Sequence, residues 1–251
     1  MIVLAPVYQP GARLPEMVAD LRAAAPDLHV VVVDDGSSDP AAARAVDAAR
    51  DLGCTVLRHP TNRGKGVALR TGFRHVAEAH PGQDVVCADF DGQHRVADVL
   101  RVAERTRTTG RMVLGVRRLD GEVPLRSRVG NAVTRVLFRA VTGCAVRDTQ
   151  TGLRAHPADQ LDWLLSVSGD HFEYEMAVLL EAARVGLPIE QTTIATHYVK
   201  GNSSSHFSSL VDSARVYAPL LRFAVSRLSG SLRTRAATSS AAVRPVVPPE
   251  G

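Results

Sequence analysis

The 251-residue sequence is short of cysteine, of lysine and of long apolar runs, and each shortage closes off a class of protein. Cys54, Cys87 and Cys144 are too few and too far apart for a disulfide framework or a cysteine-based zinc site, which points to a reducing compartment. No uninterrupted apolar stretch reaches the roughly 18 residues that a spanning helix needs. The opening MIVLAPVYQPG has no basic region and only a five-residue apolar run before Pro6, so it does not read as a signal peptide. The expectation is a cytoplasmic chain that at most lies peripherally on the inner face of a membrane. Lys65 and Lys200 are the only lysines, so 28 of the 30 basic residues are arginine; beside the abundant alanine this reads as compositional bias rather than function. The net charge of +4 is no polyanion-binding field either. Arg233, Arg235 and Arg244 against Glu250 place half of it in residues 230–251, and +2 spread over the preceding 229 residues argues against a nucleic-acid partner.

Other absences are of motifs. There is no internal repeat, no H-x-x-x-H pair on a helix for zinc, and no G-x-S-x-G for a hydrolase. The Gly-rich first loop of a nucleotidyltransferase is missing between Pro6 and Leu14.

What is present is an ordinary globular balance, 45% hydrophobic and 22% charged, which excludes a wholly disordered or fibrous chain. Short β-rich runs alternate with helical patterns. Strands are expected at Ile2–Val7, His29–Asp34, Thr55–Arg58, Asp84–Ala88 and Met112–Val116. Helices are expected at Leu14–Ala25, Ala41–Leu52, Gly66–Ala79 and Val96–Thr106. Continuous valine runs without alternation indicate strands covered on both faces, and repeated β-α-β units point to an α/β doubly wound, mostly parallel sheet flanked by helices. Beyond Arg117 the rhythm changes: a helix at Ser127–Thr142, an irregular polar segment at Arg147–Arg154, helices near Asp159–Ser166 and Phe172–Val185, and an edge strand at Pro188–Thr196. A last helical pattern covers His206–Leu228. The Ser/Ala/Pro/Arg-rich residues 230–251 read as a disordered tail, leaving a single domain over 1–229.

Ligands of open α/β sheets bind beyond the carboxyl ends of the strands, and four strand ends here run into polar clusters. The second leads to Asp34-Asp35-Gly36-Ser37-Ser38-Asp39, which suits either a turn with a helix cap or a carboxylate accepting bonds from a nucleoside. The third leads to Asn62-Arg63-Gly64-Lys65-Gly66, which lacks the spacing of a Walker loop but carries glycines and two cations. The fourth leads to Asp89-Phe90-Asp91-Gly92-Gln93-His94. Residues two apart at a strand end point the same way, so Asp89 and Asp91 face one site. With no cation in the local sequence they would repel unless a divalent metal, Mg²⁺ or Mn²⁺, joined them. The fifth ends in Arg117, a candidate phosphate clamp, beside Arg118, read as solvated. His94 suits a metal or phosphate ligand and a helix-entry residue equally. Glu173 and Glu175 open a helix, where a capping role and a general-base role compete.

In order along the chain, VVVDDGSSD, HPTNRGKGVALRTGF, VVCADFDGQH, LGVRRLDGEVPLRSRVGN, RDTQTGLRAHP and FEYEM followed by SSSHFSSLVDSARVY resemble a family 2 glycosyltransferase of the GT-A fold. The likeness covers about residues 1–225. It leans towards the polyprenyl-phosphate and dolichyl-phosphate sugar transferases that use UDP-glucose or GDP-mannose. The resemblance implies that Pro6, Tyr8, Val33 and Asp35 hold the nucleoside of a nucleotide-sugar donor, with Gly64 and Lys65 nearby. It implies Asp89, Asp91 and Gln93 as metal and sugar-diphosphate ligands and Arg117 as the group that neutralises the leaving diphosphate. Asp148, Gln150 and the stretch to Gly152, with Arg126 and Arg128, would shape the acceptor side, and Lys200 and 202–206 would close over the donor. Together these imply a metal-dependent inverting hexosyltransferase acting on a polyprenyl-phosphate acceptor. A hydroxyl acceptor would instead need a base, from Asp148, Glu173 or Glu175, and a binding protein without turnover is a third reading.

The chain departs from the family pattern in three places. Relatives often read P-x-Y-N-E where this chain has Pro6-Val7-Tyr8-Gln9-Pro10, so an acid is absent at Gln9. Phe90 stands where a small residue is usual and is expected to narrow the sugar site. Many relatives continue into transmembrane helices, whereas here the segment 207–228 carries apolar residues and arginines at helical spacing. That segment reads either as a final helix packed on the domain or as an interfacial helix meeting anionic lipid.

Overall fold

The valine runs form the middle of a twisted sheet. The computed structural model of the chain describes residues 1–118, 125–195 and 217–225, with the side chains of 125–128 outside that description. Strands β1 (Ile2–Val7), β2 (His29–Asp34), β3 (Thr55–Arg58) and β4 (Val85–Cys87) run parallel, as do β5 (Met112–Arg117) and β7 (Ile189–Ile194) with each other. The short β6 (Arg154–His156) is antiparallel between β4 and β5, giving the order β3-β2-β1-β4-β6-β5-β7. Around it lie α1 (Arg13–Ala24), α2 (Pro40–Asp51), α3 (Lys65–Ala79), α4 (Val96–Thr109), α5 (Leu125–Thr142), α6 (Leu161–Ser166) and α7 (Glu173–Val185).

Two apolar layers explain the unbroken valines. Val31 and Val33 of β2 face a layer with Leu4, Phe73 and Tyr174, while Val30 and Val32 face the opposite layer with Val18, Val46 and Val102. Successive side chains point to opposite faces, and because helices cover both, every position is apolar. Full burial of each such valine contributes roughly 1.5–3 kcal/mol. Asp39 accepts a bond from Ala41 N at 2.7 Å and Pro40 opens the first turn, which fixes the start of α2 just beyond the sheet rim.

Among the described residues the expected elements are present, and the edge strand is β7. The departure lies at Arg147–Arg154, read as irregular throughout, where Arg154 opens β6. Three residues are too short for a periodic signal, and burial on both faces hid them. The consequence is positional. An antiparallel strand begins where its parallel neighbours end, so the Asp148–Gly152 approach to β6 meets the carboxyl ends of β4 and β5 at one rim.

Within 217–225 the chain is helical; Leu220 is buried in the first layer, with Tyr217 and Phe223 packed against it, while Leu221 and Val225 are exposed. That part of the final segment packs on the domain. The rest of 207–228, the 230–251 tail and Lys200 lie outside the described residues. Among the described residues no helix is long and apolar enough to cross a membrane.

β6 also carries an acid-sensitive group. His156 is buried edge-on to Phe73, with ring centroids 5.8 Å apart, and its Nδ1 has no hydrogen-bond partner. Burial, helped by the charge of Arg154, pushes its pKa from 6.5 down to about 3. The unfolded chain therefore takes up a proton that the folded one refuses, and stability falls as pH drops from the unfolded value towards the folded one. At about pH 5 this costs on the order of 2 kcal/mol. His156→Leu is expected to flatten the decline of Tm between about pH 6.5 and 4.5, as melting curves would read it; equal acid slopes in both proteins would contradict this assignment.

Candidate active site

The strand-end clusters converge on one rim. Asp35, at the end of β2, is buried: its Oδ1 accepts from Arg63 N at 2.9 Å and lies 2.6 Å from His59 Nδ1, while its Oδ2 accepts from Gly64 N at 2.8 Å. One carboxylate thus shapes the whole turn from β3 into α3. Gly36 beside it has φ +75°, and a Cβ there would lie 2.2 Å from the Thr61 carbonyl carbon, so close passage of the two loops requires glycine. Gln9, where an acid was missing, crosslinks the same region. Its backbone N donates to Ser37 Oγ (2.8 Å), its Nε2 donates to Ser38 Oγ (3.1 Å), and its Oε1 accepts from Asp39 N (3.0 Å). Pro6 is partly buried and Tyr8 is exposed on this rim. Val33 differs from expectation: its side chain is fully buried in the core layer, which leaves it no surface to offer a nucleoside.

Asp89 and Asp91 follow β4. Phe90 between them turns the other way, into the core layer with Val7 and Val99, so the expected narrowing of the sugar site does not arise. No cation lies in the local sequence of the acid pair, but one reaches it from α3. Lys65, opening α3, places Nζ 2.9 Å from Asp89 Oδ1 and 3.0 Å from Glu175 Oε2. Burial works against ionisation of Asp89, but Lys65, with smaller help from His94 and Arg117, outweighs it and holds the carboxyl below its ordinary range. Asp91 moves the opposite way, raised by burial and then by the Asp89 charge. Gln93 bonds Asp91 twice, from its backbone N (3.0 Å) and from Nε2 (2.7 Å). His94 is buried with Nδ1 unpartnered, and burial lowers its pKa.

Among the described residues no group of three or more His, Cys, Asp or Glu is gathered in a metal-holding arrangement. The donor set at this rim is two carboxylates and an amide. Hard oxygen donors of this kind suit Mg²⁺ or Mn²⁺, which complete their shells with waters and phosphate oxygens. The raised Asp91 fits such a group, since a divalent charge would offset the repulsion from Asp89.

Arg117 ends β5. Its Nε donates to Asp148 Oδ2 at 2.7 Å and its Nη2 to Asp148 Oδ1 at 3.0 Å, a bidentate pair whose carboxylate is fully buried. Gln150 N also donates to Asp148 Oδ1, and the exposed Gln150 sits beside α5, its Nε2 4.0 Å from the Cβ position of Gly130. Arg126 lies in the first turn of α5, with its side chain outside the description.

Two acids proposed as bases are already employed. Glu173 Oε1 accepts from Asp170 N (3.0 Å) and His171 N (3.1 Å), which closes the turn leading into α7, and Glu175 pairs with Lys65. Gly152, which the resemblance implies on the acceptor side, lies against Asp89 instead. A Cβ there would lie 2.1 Å from Asp89 Oδ2, so the backbone passes directly against the carboxylate. The G-L-R segment held that signal only in combination with β6, which was not foreseen.

Comparisons with known proteins show the family and the fold. The sequence pattern described as Glycosyl transferase family 2 matches residues 2–152. The chain is 30% identical over 202 residues to undecaprenyl-phosphate mannosyltransferase of Micrococcus luteus, covering 77% of this chain and 82% of that one. It is 31% identical over 169 residues to undecaprenyl-phosphate 4-deoxy-4-formamido-L-arabinose transferase of Enterobacter sp. (strain 638), covering 65% of this chain but half of that one. Glucosyl-3-phosphoglycerate synthase of Mycobacterium tuberculosis, solved with Mn²⁺, UDP-glucose and phosphoglyceric acid, shares the fold with a TM-score of 0.66 at 22% identity, over 89% of this chain and 79% of that one. A seven-stranded GT-A sheet with its acid pair beyond β4, matched by the family's own sequence pattern over more than half its length, makes this chain a member of glycosyl transferase family 2.

Proposed function

We propose that this glycosyltransferase moves a hexose from a nucleotide-sugar to a polyprenyl phosphate at a membrane surface, with a divalent cation and inversion at the anomeric carbon. The observation that carries the lipid acceptor is an apolar stripe on α5. Val129, Val133, Val136 and Leu137 are 40–62% exposed, and on a 3.6-residue helix they share an arc of about 100°. The opposite face, with Asn131, Thr134 and Phe138, is buried. Asn131 and Thr134 bond the loop that carries Asp148: Thr149 N donates to Asn131 Oδ1, and the Thr149 and Thr134 hydroxyls are 2.9 Å apart. The stripe therefore leads away from the Arg117 corner, and exposed Arg135 and Arg139 suit an anionic lipid surface.

In this reading Asp89, Asp91 and Gln93 hold the cation, which when bound supplies Lewis-acid stabilisation of the diphosphate. The rim of Pro6, Tyr8, Asp35 and Gly64 receives the nucleoside, Lys65 and Arg117 offset charge on the departing diphosphate, and Asp148 holds Arg117 in place. Arg126, Gln150 and Lys200 are assigned to the acceptor and donor rims on the resemblance. The candidate bases Asp148, Glu173 and Glu175 are each bonded to protein donors. An acceptor phosphate is already anionic near neutral pH and attacks the anomeric carbon in line without one.

Val136→Asn with Leu137→Gln tests the stripe. Transfer to a long polyprenyl phosphate in anionic vesicles is expected to fall about thirtyfold, from roughly 1 kcal/mol lost at each of the two side chains. Transfer to a short water-soluble prenyl phosphate should stay unchanged. Equal rates on the vesicle substrate, or faster transfer to hydroxyl acceptors than to either phosphate, would overturn the assignment.

A further inference from the structure

Lys65 stands between two carboxylates that belong to different parts of the site. Its Nζ is 2.9 Å and 3.2 Å from the two oxygens of Asp89 and 3.0 Å from Glu175 Oε2. Glu175 is fixed from behind by Arg154, a buried residue of β6 whose Nε lies 3.8 Å from Glu175 Oε1 and whose Nη1 donates to the Glu175 carbonyl at 2.6 Å. Arg154 is itself anchored, with Nε donating to Thr151 O at 2.8 Å and Nη2 to Thr149 O at 3.2 Å. The ammonium is thus poised between a carboxylate whose backbone Arg154 anchors and one that faces the site.

An ammonium and a divalent cation compete for the same Asp89 oxygens, and at neighbouring positions they repel. A cation settling on Asp89 and Asp91 therefore requires Lys65 to give up Asp89. Largely buried, Lys65 would be left unpaired at high cost unless another carboxylate received it. Glu175 lies at that place, and its anchor through Arg154 keeps it from following Lys65 towards the rim.

We propose that Glu175 is a positioning residue that takes Lys65 off Asp89 as the cation binds, freeing Asp89 as a ligand while keeping the ammonium at the diphosphate side. This rests on the reading of Asp89 and Asp91 as cation ligands.

The test is Mn²⁺ binding to the full chain without donor, read from the electron paramagnetic resonance signal of free Mn²⁺. Glu175→Gln is expected to weaken binding about tenfold, within the range usual for partners that orient metal ligands. Lys65→Met, which removes the competitor, is expected to tighten binding. In the Lys65→Met background the Glu175→Gln loss should shrink to about threefold or less, because the effect acts through Lys65. Glu175→Asp, with its charge kept and its reach shortened, should fall between wild type and Glu175→Gln, and it serves if Glu175→Gln folds poorly. The same loss with and without Lys65, or weakening by Lys65→Met, would mark Glu175 as merely structural and overturn the proposal. Wild-type chain that binds no Mn²⁺, alone or with UDP-glucose or GDP-mannose, would instead reject the cation site itself.

Discussion

Asp91→Asn is expected to lower hexose transfer by about two to three orders of magnitude while leaving the fold at least as stable as before. The two halves of this result have the same origin. Asp91 is partly buried beside a second carboxylate, and burial followed by the Asp89 charge raises its pKa. In the cation-free protein its ionised form is therefore disfavoured by folding, and a neutral amide of the same shape removes that penalty. Lys65 does not offset it, because its ammonium sits on Asp89 and Glu175. With a cation and a donor diphosphate present, the lost carboxylate is one of the two charged ligands in the proposed set, and transition-state stabilisation falls with it. Thermal melting in EDTA should show an unchanged or higher Tm, and single-turnover transfer should show the loss. A lower Tm, or a rate within tenfold of wild type, would count against the assignment. A site built for chemistry at the expense of stability behaves in this way.

Gly152→Ala is expected to reduce transfer by about a hundredfold without removing any titratable group, since misplacing a reacting contact by an ångström costs on that scale. The new methyl would lie 2.1 Å from Asp89 Oδ2 and 3.2 Å from Lys65 Nζ. The nearest obstacles are side-chain ends rather than core backbone, so the carboxylate and the ammonium move and the sheet stays. Circular dichroism and Tm should change little, whereas kcat falls and the Mn²⁺ concentration for half-maximal rate rises. Retention of full activity would mean that Asp89 does not need its present position.

The sequence made the parallel sheet legible because helices cover both faces of the central strands, so Val30 to Val33 all had to be apolar. It also showed the rim, since Asp35, Asp89, Asp91 and Arg117 each lie at or within four residues of a strand's carboxyl end and Gly64 follows β3 by six. What stayed hidden depends on pairs distant in the chain. Lys65 meets Asp89 across 24 residues and Arg117 meets Asp148 across 31, and no local pattern encodes either pair. The resemblance implies site roles for Val33 and Phe90, but Val33 lies in the core within β2 and Phe90 turns into the core layer just beyond β4. Glu173 and Glu175 are equivalent in the sequence, and only the packing of α7 separates an acid that closes the preceding turn from a partner of Lys65.

The decisive measurement incubates the purified chain with polyprenyl phosphate in anionic vesicles, UDP-glucose or GDP-mannose, and Mn²⁺ or EDTA, and identifies lipid products by mass spectrometry. The proposal predicts a hexosyl polyprenyl phosphate from one of the donors, formed with Mn²⁺ and absent with EDTA. Donor turnover that yields only free sugar or a glycosylated soluble hydroxyl compound, with no lipid product under either condition, would contradict it.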